Sequence, residues 1–333
     1  MSKKAKVILA IVFVILLILT SAVLVYFCGA SYPAFERIAK ASFDIPGLDT
    51  TFVPQGLTYD EASDKFLVSG YMSDGSASRI YLVDKETGEC EKYVTISYSV
   101  ENYTKHAGGI AVYGDMVWVA GDREVVTLSM SEILAGENEG KVIIKSYFET
   151  GNGCDFLHII DDQLIVGEFY KEGKYETEAH EPIIVADNAV NNALSYVYDI
   201  DLTNANGIDK GNIVAAISMP DQVQGMTVSA DGEIILSTSY SIPSSKIYVH
   251  DNILLEASED KVELAGKEVT LYILDNDTLI NTISAPSMSE ELVTVEGKTY
   301  ILFESACSKY RLINRTRTKQ VYAIENFDIP EGK

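Results

Sequence analysis

One strand–turn–strand pattern recurs five times along the chain, and it predicts an all-β fold: a five-bladed β-propeller preceded by one N-terminal transmembrane helix. The clearest pair is QGLTYDEASDKFLVSGY at residues 55–71 and QGMTVSADGEIILSTSY at 224–240, which lie on each other without a gap. A second observation is that the copies are followed by further strands, which makes four-stranded antiparallel units. A third is an imbalance at the ends. The last copy lacks a fourth strand, while KASFDIP at 40–46 precedes the first copy and has no unit of its own. A strand supplied by the N-terminus closes the ring and removes the open edges of a linear sheet. The 20 Tyr against 1 Trp suit half-buried pleated surfaces.

The elements follow in chain order. MSKKAK carries Lys3, Lys4 and Lys6, and residues 7–27 are apolar without a charge. At 1.5 Å per residue, about 20 apolar residues cross a hydrocarbon core of about 30 Å. The apolar region of a cleaved signal peptide is shorter, about 7–15 residues, so an uncleaved anchor is favoured over cleavage after Cys28, Gly29 and Ala30. The three lysines stay in the cytoplasm, which makes this a single-pass cell-membrane protein with an extracytoplasmic C-terminal domain. The chain divides into a basic tail (1–6), the anchor (7–27), a juxtamembrane linker (28–39) and the propeller (40–333).

Blade 1 continues through RIYLVD at 79–84 and a KETG turn into ECEKYVTIS. The second copy, GGIAVYGDMVWVAGD from Gly108, turns at Gly114 and Asp115. The third, DFLHIIDDQLIVGEF from Asp155, turns at Asp161 and Asp162 and continues as YVYDID and NIVAAIS. NANGID at 204–209 is a turn between those two strands, because an EF-hand register would put Leu202 at its first ligand position. The fourth copy turns at Asp231-Gly232, a hairpin signal, and is expected to continue through VTLYILD at 269–275 and TLINTIS. The fifth, EELVTVEGKTYILFES from Glu290, ends on QVYAIEN. The long third and fourth units leave six blades as the alternative. Gly56, Gly109 and Gly225 are expected where first strands crowd together at the axis.

A net charge of −23 repels phosphate backbones, so nucleic acid is not an expected partner. Cys28, Cys90, Cys154 and Cys307 contain no CxxC pair, which excludes a zinc ribbon or thioredoxin-like motif, although a disulfide is chemically allowed outside the membrane. The chain has no GxSxG, Walker loop or GxGxxG.

In PQGLTY, QGMTVSADG and the YLVDKETGE strand and turn, the chain resembles the β-propeller superfamily, including its NHL-like and gluconolactonase/strictosidine-synthase-like groups. It looks like a membrane-anchored or secreted bacterial propeller. The resemblance covers nearly everything from Lys40 onward and specifies blades rather than a reaction. The gluconolactonase-like group opens its first blade with a metal-binding Glu, where this chain carries Gln55. Five-bladed glycosidases place two Asp and one Glu around the channel, and the matching ring here is incomplete.

Ligands are expected at one mouth of the channel, lined by first-strand starts and the loops before them. Those positions are Gln55, His106 beside Gly108, Asp155, Gln224 and Glu290. Asp155 and Glu290 are the candidates for a hard cation, calcium, or for a base and an acid. Glu168 and Tyr170 leave the second strand of the third copy, and a long insertion with Tyr175, Glu178 and His180 follows as a candidate lid. The segment 244–267, with His250, is expected to be a second flap. The expected function is a ligand-binding or scaffolding module for a glycan, peptide or small molecule. The alternative is an extracytoplasmic hydrolase or lyase acting on a sugar or lactone, calcium-assisted.

Overall fold

The computed structural model describes residues 2–28, 30–177 and 179–328, with backbone only at 22–28. Lys3–Cys28 is one helix, long and apolar enough to cross a membrane, and its stretch Lys3–Ser21 buries nothing against the rest of the chain. From Ala39 onward the described residues are mainly strands arranged in a ring, with one short α-helix at Met130–Ala135. Blade 1 is Phe52–Asp60, Lys65–Met72, Arg79–Asp84 and Cys90–Ser97. Blade 2 is Ile110–Tyr113, Met116–Gly121, Glu124–Ser129 and Ser146–Glu149. Blade 3 is Phe156–Ile160, Gln163–Gly167, Ala193–Asp199 and Ala215–Met219. Blade 4 is Val223–Val228, Ile234–Thr238, Ser245–His250 and Leu279–Ala285. Blade 5 is Ser289–Val295, Lys298–Phe303 and Gln320–Ile324, completed by Ala39–Asp44 from the N-terminus. The chain is a five-bladed β-propeller.

The closure is the one expected from the count of strands. Ala39 lies opposite Ile324 and Asp44 opposite Gln320, antiparallel. Phe43 on this closing strand packs on Phe66 of blade 1, ring centroids 5.0 Å apart. Just before it, the short helix Pro33–Ile38 sets Phe35 edge-on to Phe303 of blade 5 at 6.0 Å. The N-terminal segment therefore ties the last blade to the first.

Strands in the middle of a blade are apolar on both sides because both faces are covered by neighbouring blades. In Lys65–Met72, Phe66 and Val68 join the core shared with blade 5, while Leu67 joins the core shared with blade 2. The free thiols Cys154 and Cys307 are buried and Cys90 is exposed.

One assignment is corrected. The third strand of blade 4 is Ser245–His250, inside the segment expected to be a flap, and its Ile247 and Val249 enter the core. The expected third strand instead forms Lys267–Ile273, which lies parallel to the outer strand of blade 3 and carries Lys261–Leu264 beyond it. The alternation in VTLYILD reports a strand correctly, but the free edge of blade 3 takes it up and is thereby covered.

At the axis the inner strands touch backbone to backbone. A Cβ on Gly56 would lie 2.3 Å from the Gly108 carbonyl oxygen, one on Gly109 2.3 Å from Leu157 N, and one on Gly225 2.7 Å from Glu291 Cα. This is the crowding expected of those three glycines.

Candidate functional site: a lidded cavity at the channel mouth

Antiparallel pairing sends each inner strand away from one mouth of the ring and brings each second strand back to it. Side chains at inner-strand starts and second-strand ends therefore meet at the same end. In three blades the inner register breaks there: between Pro54 and Gly56, between Val223 and Gly225, and between Ser289 and Leu292. The residues left over are Gln55, Gln224 and the pair Glu290 and Glu291. A bulge re-aims its extra side chain. Gln55 and Gln224 line a partly open cavity of about 540 Å³ together with His106 and Asp155. The second strands run out into Asp122, Glu168, Tyr240 and Glu304, which line the same cavity.

Of the residues expected at the mouth, Gln55, His106, Asp155, Glu168 and Gln224 come together on this cavity. His180 reaches it through Glu168. Glu290 sits behind Glu304, and Tyr170 packs against the core between blades 3 and 4. Glu178 lies outside the described residues. Inner-strand starts alone miss Glu304, although it stands, like Glu168, one residue past its second strand.

Asp155 accepts the Phe169 N–H at its Oδ2, 2.8 Å away. Burial nevertheless pushes its carboxyl up to about 7, and nearby Glu168 adds to the rise. Gln55 donates its amide to Glu304 Oε2 at 2.9 Å, and burial pushes Glu304 up to about 7 as well. Behind it, burial and then Glu304 itself raise Glu290 well above the carboxylate range. Glu290 is 3% exposed and hydrogen-bonds Glu304, while its Oε1 has no partner among the described residues.

The neighbouring Glu291 has a different task. Its Oε2 accepts the N–H groups of Leu57 (2.7 Å) and Ile110 (3.0 Å), and its Oε1 that of Leu157 (3.0 Å). One carboxylate of blade 5 thus ties down the inner strands of blades 1, 2 and 3. It closes the channel beneath the cavity rather than facing a ligand.

The rest of the wall comes from the insertion after Glu168. Lys171 and Tyr175 bridge a tight turn, and Phe169, Lys174, Tyr175, Glu176 and Thr177 face the cavity. Phe169 meets Tyr175 edge-on at 5.6 Å and Tyr240 at 6.2 Å, and Lys174 Nζ donates to the Tyr240 hydroxyl at 3.2 Å. The insertion is fastened by His180, whose Nε2 lies 2.9 Å from Glu168 Oε2 and whose Nδ1 lies 3.1 Å from the Glu181 carbonyl oxygen. Both ring nitrogens face acceptors, which favours the imidazolium. Burial works against that charge, but Glu168 prevails and the pKa is raised. Across the mouth His106 stacks on Tyr71 at 4.9 Å, and burial lowers its pKa. Lys309 Nζ donates to the Tyr71 hydroxyl at 2.6 Å.

Among the described residues, no three His, Cys, Asp or Glu side chains are grouped to hold a metal ion. Asp155 and Glu290 engage other partners, the Phe169 amide and Glu304.

No protein-family model matches the chain, and no curated protein does. Among solved structures it is similar to the PQQ-bound aldose sugar dehydrogenase of Streptomyces coelicolor, with TM-score 0.46 and 11% identity over 89% of this chain and 99% of that one. It is also similar to the PQQ domain of a pyranose dehydrogenase from Coprinopsis cinerea, with TM-score 0.42 and 12% identity over 80% and 73% of the two chains. BamB of Moraxella catarrhalis gives TM-score 0.34 and 11% identity over 81% and 84%. These likenesses carry no reaction or cofactor across, and they do not single out the NHL-like or gluconolactonase-like groups.

Proposed function

We propose that the protein is a membrane-anchored binding module that holds its propeller outside the cytoplasm. It takes a small hydroxyl-rich ligand, of the class of mono- and disaccharides, in the lidded cavity. Lys3, Lys4 and Lys6 ahead of the apolar helix support this orientation. The observation that carries the ligand class is the lining. A space of about 540 Å³ falls among small-molecule sites, which span roughly 300–1,000 Å³. Carboxyls and amides on its floor can both donate to and accept from hydroxyls, with Asp155 and Glu304 close to neutrality. Phe169, Tyr175 and Tyr240 offer flat apolar faces to the C–H side of a sugar ring.

The test is titration calorimetry of the full chain in a sugar-free detergent against glucose, N-acetylglucosamine, maltose and chitobiose. Binding of at least one is expected, weakened about tenfold or more by Tyr240→Ala and by Glu168→Gln. No binding to any of them, or an affinity indifferent to both changes, counts against the reading.

One observation favours a second reading, a hydrolase or lyase. Asp155 and Glu304 are both held near 7, where acid–base groups work best at neutral pH. Glu304 then takes the role expected of Glu290, because Glu304 lines the cavity. Turnover of a bound saccharide that vanishes in Asp155→Asn while binding persists separates the two readings. A melting midpoint raised by calcium after EDTA, and not in Asp155→Ala, adds the cation to the second.

A further inference from the structure

The segment 305–319, between the second and third strands of blade 5, reverses the charge of the rest of the chain. It carries Lys309, Arg311, Arg315, Arg317 and Lys319 and no Asp or Glu, in a chain of net charge −23. Lys309, Arg311, Arg317 and Lys319 are exposed, and among the described residues none of these four forms an ion pair with a carboxylate. Between them Leu312 is 78% and Ile313 50% exposed.

The position of the segment supplies a partner. Thr316 Oγ1 and Ser244 Oγ each lie 3.4 Å from the Tyr32 hydroxyl, and Arg315 Nη2 donates to Ser244 Oγ at 2.8 Å. Tyr32 follows Cys28, the end of the apolar helix, by four residues, a step of at most about 14 Å. The basic segment is thus held beside the point where the chain leaves that helix.

We propose that segment 305–319 docks the propeller on an anionic lipid surface. Leu312 and Ile313 enter the boundary between headgroups and acyl chains, and Arg311, Arg317 and Lys319 face lipid phosphates. This rests on reading Lys3–Cys28 as a membrane anchor. A bilayer accounts for both unusual features at once. Anionic headgroups attract clustered cations, each strengthening adsorption about fivefold, and the interfacial layer takes up exposed apolar side chains. Glu304 immediately precedes this segment and Tyr310 lies within it, and Tyr240 and Ser241 lie on the loop that carries Ser244. All four line the cavity. The docked sector of the rim is therefore the side of blades 4 and 5, and the cavity opens at the lipid surface.

The test uses the full chain with Leu312→Trp in vesicles of phosphatidylcholine, with or without about one-third phosphatidylglycerol, carrying brominated acyl chains. Trp118 is fully buried in blade 2 and serves as the internal reference. In anionic vesicles the introduced indole is expected to shift to the blue and to be quenched about twofold or more. The effect is expected to weaken at high salt and to be lost when Arg311→Gln, Arg317→Gln and Lys319→Gln are added. Water-like, unquenched emission from a chain that floats with the vesicles overturns the docking alone. A chain that washes off the vesicles at alkaline pH overturns the anchor and the docking together.

Discussion

His180 Nε2 and Glu168 Oε2 lie 2.9 Å apart, and both side chains are almost fully buried. The bond joins the far part of a long insertion to the end of a blade strand, so a charge-assisted contact beside the cavity helps to fasten the lid, together with the Ala186 N–H donated to Asp275. Glu168 Oε2 also accepts the Leu194 N–H at 3.3 Å, which anchors the return of the same insertion.

The latch has a pH dependence of known sign. The His180 pKa is raised on folding, so its contribution is complete below the unfolded value of about 6.5 and declines as pH rises through the folded value. Amide exchange in residues 169–192, corrected for intrinsic rates, is expected to accelerate as pH rises above neutrality. His180→Ala is expected to be fast at every pH, with the blades unaffected. Equal protection across the range, or in the variant, contradicts the latch.

Asp155 has a linkage of the same sign from a different cause, since here burial penalises the charged form. Its folded pKa of about 7 lies above the ordinary carboxyl value, so the folded state binds more protons than the unfolded state between about pH 4 and 7. Stability contributed by this site therefore falls as pH rises through that window. Asp155 lines an open cavity rather than dry core, so Asp155→Asn is expected to stabilise by about 1–2 kcal/mol at pH 8 and by little at pH 4. Urea titrations at the two pH values measure the difference. Glu290, Glu291 and Glu304, which burial also raises, contribute to the residual slope in the same direction.

Glu291 tests the architecture. Glu291→Ala leaves the amides of Leu57, Ile110 and Leu157 in the axis without an acceptor. Burial raises the Glu291 pKa well above the ordinary carboxyl value against the lowering by these three N–H groups, so the expectation rests on the amides. Each buried N–H left unsatisfied costs about 1–3 kcal/mol, and a loss of about 3 kcal/mol or more is expected in urea unfolding. A loss under about 1 kcal/mol would mean that water replaces the carboxylate at the axis.

Ring closure makes a separate prediction. Phe43→Ala removes a buried ring from the contact between the closing strand and blade 1, and about 3–5 kcal/mol is expected. Glycine or alanine at exposed Lys40 on the same strand is expected to change little. Comparable losses at both positions would indicate that pairing, not packing of Phe43, holds the strand.

The hairpins were legible because their turns are chemically marked. Asp231-Gly232 and Glu296-Gly297 place glycine at positive φ between alternating strands, and Asp161 itself adopts φ of 53°. The closing strand was legible from the arithmetic of blades. The third strand of blade 4 was not, because SKIYVH is short and follows a Ser- and Pro-rich loop, while VTLYILD alternates more clearly and belongs to the neighbouring blade. Strand character is local, whereas the choice of partner depends on which edge is free. Gln55, His106, Asp155 and Gln224 were legible from inner-strand starts. Glu304 required the further step of asking where second strands return. Glu290 was read from its inner-strand start, but its place behind Glu304, and the turn of Glu291 to the axis, depend on a bulge that cancels the usual alternation.

The most direct test of the central claim is a crystal structure of the chain soaked with the saccharide that binds best in calorimetry. Density is expected in the cavity, with ring hydroxyls within hydrogen-bond distance of Asp155, Glu168 or Glu304 and the ring face against Tyr240 or Phe169. A cavity holding only ordered water, with the saccharide elsewhere or absent, would contradict the account.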